Sequence, residues 1–183
     1  MNARYTALQI ADFFVQLANS LPDDSIDNLK INKIVYFAQG RALASLGRPL
    51  FDDQIEAWDY GPVVPSVYKA FKCCGKSPIA GPESIFDESQ LSSDELNLLT
   101  DVYVNYGKYT GIALKEMTHR KGTPWSVIYE QGENRVIPLE LIEEWFKNDT
   151  DFVPFTINTA NAGTITAVPA SWDSEEDNVY GPV

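Results

Sequence analysis

The sequence predicts a mainly α protein: a compact multi-helix domain around a central helix at about residues 27–46, with one or two short β-strands. An acidic C-terminal extension, β-like or irregular, follows it. Three observations carry this. Apolar residues recur at helical spacing through most of residues 1–148. Helix start and stop signals punctuate that span, among them Gly47-Arg-Pro49, Ser92-Ser-Asp-Glu95 and Thr123-Pro124. From Asp149 onward the spacing changes and cations cease, which divides the chain into 1–148 and 149–183.

Bulk properties narrow the function classes. At 183 residues, 44% of them hydrophobic, the chain can form one cored domain plus an appendage. No run of 18 apolar residues and no charged-then-apolar leader is present, so a cytoplasmic protein with no membrane contact is expected. Cys73 and Cys74 are adjacent and cannot staple distant segments. Residues 1–148 hold 14 bases and 20 acids, and 149–183 hold six acids and no base, so each part contributes −6 to the net charge of −12. A nucleic-acid backbone needs clustered cations, which argues against that partner and is compatible with a basic protein.

In chain order, residues 6–21 read as an amphipathic helix with Ala7, Ile10, Ala11, Phe14, Leu17, Ala18 and Leu21 on one stripe, closed by Pro22. In 27–46, Ile31, Ile34, Val35, Ala38, Ala42 and Leu46 share one arc and Leu29, Tyr36 and Leu43 a second, so this helix is expected at the centre. Only a narrow solvent strip remains, holding Lys30, Lys33, Phe37 and Arg41. Phe37 among three cations is either covered by the following loop or an anchor in a basic groove that receives an acidic segment.

Residues 54–58 have strand character and enter a stiff corner, Trp58-Asp-Tyr-Gly-Pro-Val63, with Pro65 opening the next helix. Gly61 allows a positive φ, and Pro62 keeps any helix from running through. Val67, Ala70, Phe71 and Cys74 continue that helix to Gly75; residues 76–90 read as a loop. Ser92 and Glu95 form a capping box for a helix ending at Gly107. Another helix starts near Thr110, with Leu114 and Met117 inward. Thr123 caps a further helix, with Pro124 at its first position and Trp125 on it. The last, Pro138–Lys147, is expected to bury Leu141, Ile142 and Trp145. Residues 152–157 and 164–168 read as a β-hairpin. Trp172 and Tyr180 sit among the acids that follow, and Tyr180-Gly-Pro-Val183 repeats Tyr60-Gly-Pro-Val63.

Three stretches together resemble the Panacea antitoxin domain, also called SocA-like or GepA-like. They are Leu29-Lys-Ile-Asn-Lys-Ile-Val-Tyr-Phe-Ala-Gln-Gly40, Gly47 through Glu56-Ala-Trp58 into the Tyr-Gly-Pro-Val corner, and Thr118-His-Arg-Lys-Gly-Thr-Pro-Trp125. The resemblance implies an antitoxin that neutralises, by direct protein contact, a toxin encoded in the adjacent gene. It extends to action as an adaptor delivering the toxin to a protease, and to phage and prophage carriage. Lys33, Phe37, Arg41, Trp58, Tyr60, Tyr68, Trp172 and Tyr180 are the residues expected to meet the partner. Tyr36, Glu56, Gly61, Pro62, Pro65, His119, Pro124 and Trp125 are expected to build the motif.

Phosphate-loop spacing, CxxC, HExxH and GxSxG are all absent, and one histidine cannot build a His-based metal cluster. No cofactor, no metal and no catalysis are therefore expected. The alternative from another class is a small-ligand or enzymatic module using His119 and Tyr60 in a pocket where corner and central helix meet.

Overall fold

The structure, a computed structural model, describes residues 3–22, 24–150 and 152–154. Its first helix, α1 (Ala7–Ser20), starts on Thr6, whose hydroxyl accepts from the Gln9 amide while the Gln9 side chain returns to the Thr6 amide. Helix α2 (Asn28–Leu46) starts on the Asp27 carboxylate and ends at Gly47 in the left-handed region. Around it lie α3 (Pro65–Phe71, continued by a 3-10 turn), α4 (Ser93–Tyr106), α5 (Gly111–Thr118), α6 (Pro124–Ile128) and α7 (Leu139–Asn148). Strands β1 (Glu56–Trp58), β2 (Gly61–Val63) and β3 (Arg135–Val136) form an antiparallel sheet in the order β2-β1-β3.

Helix α2 is the core, since α1, α3, α4, α5 and α7 all pack on it. Every residue from Lys30 to Leu43 is buried, so the expected solvent strip does not exist. The three cations of that strip each bond groups outside the helix. Lys30 reaches Asp24 and the Ser25 carbonyl, and Lys33 donates to the Pro62 carbonyl. Arg41 donates to the Tyr106 hydroxyl at 2.9 Å, pairs with Asp149 and lies over the Phe152 ring at 4.0 Å. Phe37 is covered by α4 and α7 rather than by the loop after α2: it stacks on Tyr106 at 4.0 Å and meets the edge of Phe146.

The corner is a β-hairpin. Trp58 pairs with Gly61 across a two-residue Asp59-Tyr60 turn, and Pro62 falls in an outer strand, where its missing donor costs least. A third strand of two residues joins on the far side of β1. The loop 76–92 is tied to α1, because the buried Asp12 carboxylate accepts from the amides of Glu83 and Ser84, and Gln16 bonds Phe86. In α7 the buried pair is Ile142 and Phe146, four residues apart, while Leu141 and Trp145 flank them half-buried. Beyond α7, Phe152 stacks on Tyr106 and Asn105 holds the Val153 carbonyl, so the chain folds back onto α4. Residues 152–154 form no strand; the remainder of the expected hairpin, with Trp172 and Tyr180, lies outside the described residues.

Glu95 shows how the capping box is locked to the rest. Fully buried, it accepts from Arg48, Tyr5 and the Ser92 amide. Burial alone raises its pKa, but the bonds from Ser92, Arg48 and Tyr5 outweigh this and hold the carboxyl at about 2. Its stabilising effect is therefore present at neutral pH and lost as pH falls from the ordinary glutamate range toward about 2. Glu95→Gln is expected to cost about 2–4 kcal/mol at neutral pH and to flatten that acid limb in urea unfolding, since a buried charged network loses its centre.

Candidate partner-binding groove

Four of the residues expected at a partner surface converge on one groove. It measures about 630 Å³ and runs between α2, the hairpin, the end of α3 and the start of α5. Lys33 sits at its floor, and Trp58, Tyr60, Tyr68 and Ile112 are among its lining. Tyr60 is 63% exposed at the hairpin tip and Ile112 58% exposed at the start of α5. Trp58 meets Tyr68 edge-on at 4.9 Å, fixing one aromatic wall.

The wall is rigid because its backbone is held from behind. Asn32 accepts from the Val64 amide, and its own amide group is fixed by Asn28, which also donates to the Tyr68 carbonyl. Gly61 has φ +98°, and a Cβ there would lie 2.8 Å from both Lys33 Cε and Thr118 Oγ1. Only glycine lets the hairpin approach α2 and α5 this closely. Glu56 accepts from the Trp58 indole at 2.7 Å.

His119 belongs to the buttress behind the hairpin. Its ring stacks on Trp125 at 3.6 Å, and Trp125 stacks on Tyr129 at 4.4 Å. The Trp125 indole donates to the Trp58 carbonyl at 2.8 Å, and the Tyr129 hydroxyl to the Asp59 carboxylate at 2.9 Å. Thr123 caps α6 and Pro124 occupies its first position, which aims Trp125 at the hairpin. Burial, then the Lys115 ammonium, lower the His119 pKa, so the ring is neutral near pH 7. His119 does not line the groove, and the lining contains neither histidine nor cysteine. The pocket expected for the enzymatic alternative thus exists with Tyr60 in its lining and without His119. Among the described residues no cluster of His, Cys, Asp and Glu could hold a metal ion, and no helix is long and apolar enough to cross a membrane.

Phe37 and Arg41 lie in the interior, where they join α2 to α4, α7 and the root of the extension. Tyr36 is likewise internal, edge-on to Phe146. Pro65 opens α3 beneath Val64. Sequence reading missed Ile112, whose signal was an isoleucine on the side of α5 opposite Leu114 and Met117. It also missed Lys72 and Lys76 at the rim.

What the groove offers chemically is an aromatic and aliphatic seat with amines around it. A family profile described as "Antitoxin SocA-like, Panacea domain" matches residues 31–126, which include most of the groove's lining. The chain is 30% identical over 162 residues to "Antitoxin SocA" of Caulobacter vibrioides (strain NA1000 / CB15N), an alignment covering 83% of this chain and 86% of that protein. No solved structure matches the chain. A central helix carrying Lys33, a glycine-dependent hairpin carrying Trp58 and Tyr60, and a Thr-Pro-Trp buttress thus coincide with the matched span, and the chain belongs to the SocA-like Panacea antitoxin family.

Proposed function

We propose that this chain is the antitoxin of a toxin–antitoxin pair, neutralising a protein toxin encoded by the adjacent gene through direct contact at the groove, in the cytoplasm. Family membership supports the antitoxin role and a toxin partner. The observation that carries the docking face is the groove itself, with Trp58 and Tyr60 on a buttressed hairpin, Tyr68 beside them on α3, and Tyr60 and Ile112 open to a partner. Aromatic anchors in a preformed seat concentrate binding energy, because little ordering entropy opposes docking. Occlusion of this kind requires area and complementarity and no catalytic group.

Residues 1–148 would carry the docking face. The acidic extension, with Trp172 and Tyr180, would add contacts by lying across a basic surface of the toxin. Truncation is best made after Pro154, because Asp149 and Phe152 pack on Arg41. Co-expression with the neighbouring reading frame tests the whole reading. The intact chain is expected to restore growth. Tyr60→Ser with Tyr68→Ser is expected to weaken binding by about 2 kcal/mol or more, roughly 30-fold, without altering the fold. Full protection by the double variant removes the groove from the mechanism, and full protection by residues 1–154 removes the extension. Disappearance of the toxin only when a cytoplasmic protease is present would assign the protection to proteolytic delivery. A neighbouring product harmless when expressed alone contradicts the antitoxin reading itself.

A further inference from the structure

The groove differs in charge from the acidic sequence it is built from. Residues 1–148 are acidic overall, with 14 bases against 20 acids. Yet Lys33, Lys72 and Lys76 line the groove, and the Lys115 ammonium lies 5.8 Å from the Tyr60 ring centre. The one acid in the lining, Asp59, already accepts from Tyr129. Lys33 is the informative member. It is fully buried, its Nζ donates to the Pro62 carbonyl at 2.9 Å, and among the described residues no carboxylate pairs with it. An ammonium has three donors, and leaving such a group buried and unpaired is costly. The neighbouring hollow of about 520 Å³ offers a contrast: its buried Lys30 is paired with Asp24 at 3.4 Å.

We propose that the groove receives an acidic segment of the partner protein, one carboxylate reaching Lys33 while the apolar side chains beside it seat on Trp58, Tyr60, Tyr68 and Ile112. This rests on the antitoxin reading and names the chemistry of the partner's contact. The carboxylate takes the donor positions that Pro62 leaves on Lys33, and a charge-assisted bond in a dry seat is stronger than one at a rim. Lys72, Lys76 and Lys115 steer the segment in and make its capture salt-sensitive.

The proposal couples binding to protonation of Lys33. The groups around its amine are the Pro62 carbonyl from β2, the Thr118 hydroxyl and Lys115 ammonium from α5, and His119 beyond them. Burial, then Lys115, push the Lys33 amine down to about 7. Below that pH it is charged and suited to a carboxylate; above it, the charge is lost. His119 is itself held below its ordinary value, by burial and then by Lys115.

The test uses the full chain and two blocked peptides as probes, acetyl-Trp-Glu-Leu-amide and its isostere acetyl-Trp-Gln-Leu-amide, followed by NMR of the lysine side chains and tyrosine rings. At about pH 6 the Glu peptide is expected to bind about 5-fold tighter than the Gln peptide and to shift Lys33, Tyr60 and Tyr68 signals. That preference is expected to vanish at about pH 8.5, and in Lys33→Met at either pH. Lys72→Ser with Lys76→Ser, both at exposed positions, is expected to lower Glu-peptide affinity and its salt dependence while leaving the fold intact. Equal binding of the two peptides at pH 6, or binding of neither up to about 5 mM, overturns the proposal. So does a preference that persists in Lys33→Met. Glu-peptide binding seen only after truncation at Pro154 also overturns it, because the chain's own acidic extension would then be the occupant. Any of these can occur while growth rescue is retained, so the carboxylate contact and the antitoxin role fail separately.

Discussion

Gly40→Ala is expected to destabilise the fold by about 3 kcal/mol, where the same change in an ordinary helix interior would stabilise it by about 1 kcal/mol. The sign reverses because a Cβ at residue 40 would fall 2.2 Å from two ring carbons of Phe146 and 2.6 Å from a third. That ring cannot step aside. It is buried against Tyr36, Phe37 and Trp145, with the Arg41 guanidinium 5.0 Å from its centre. Either the ring leaves its rotamer or α7 lifts from α2, and both open the cluster that covers Phe37. Phe146→Ala alone is expected to cost about 3–5 kcal/mol through the cavity it leaves. Combined with Gly40→Ala it should cost less than the two changes summed, because the new methyl occupies vacated space. Urea unfolding of the four proteins measures this; a Gly40→Ala chain as stable as the parent would show that α7 does not sit this close to α2.

Lys33→Met is expected to act in the opposite direction. The unfolded lysine titrates near 10.4, whereas burial, then Lys115, bring the folded amine to about 7. Between these values the unfolded chain holds a proton that the folded chain has released. Stability of the parent should therefore rise with pH from about 7 toward 10, by up to about 1.4 kcal/mol per pH unit. Below about pH 7 both states are charged and the whole penalty is present. Methionine keeps the volume and removes the ionisable group, so the variant should be more stable by about 2–4 kcal/mol at pH 6 and should lose the slope. Tyr5, pushed up to about 12 by burial and its bond to Glu95, acts only above pH 10 and with the reverse sign, since the folded state then keeps a proton the unfolded state loses. Unfolding midpoints across this range decide the matter; an identical slope in parent and variant contradicts the assignment. A residue that weakens the fold at the floor of the proposed docking groove is the kind of position where function is set against stability.

Local chemistry in the sequence was enough to place most helices. The Asp27 and Gly47 boundaries of α2, the Ser92–Glu95 box of α4 and the prolines opening α3 and α6 are short-range signals, and the structure carries each of them. Burial of the cationic strip was not legible, because its partners come from far along the chain: the Pro62 carbonyl for Lys33, and Tyr106 and Asp149 for Arg41. A wheel drawn on α2 alone assigns cations to water, whereas α4, α5 and α7 close over them. Strand β3 could not be foreseen either, since two residues carry no alternation. For the groove, Lys33, Trp58, Tyr60 and Tyr68, all expected to meet the partner, came together as a set, while Phe37 and Arg41 went inside. Ile112 and the rim lysines joined through tertiary packing, which no local pattern records.

The central claim is that a preformed surface at the hairpin and central helix covers another protein. Amide hydrogen exchange of the full chain, with and without the purified product of the neighbouring gene, tests it most directly. The account predicts added protection concentrated in residues 58–64, 66–76 and 111–115, with the interior of α2 unchanged because it is already closed. Protection confined to other surfaces, with these segments exchanging as in the free chain, would contradict it.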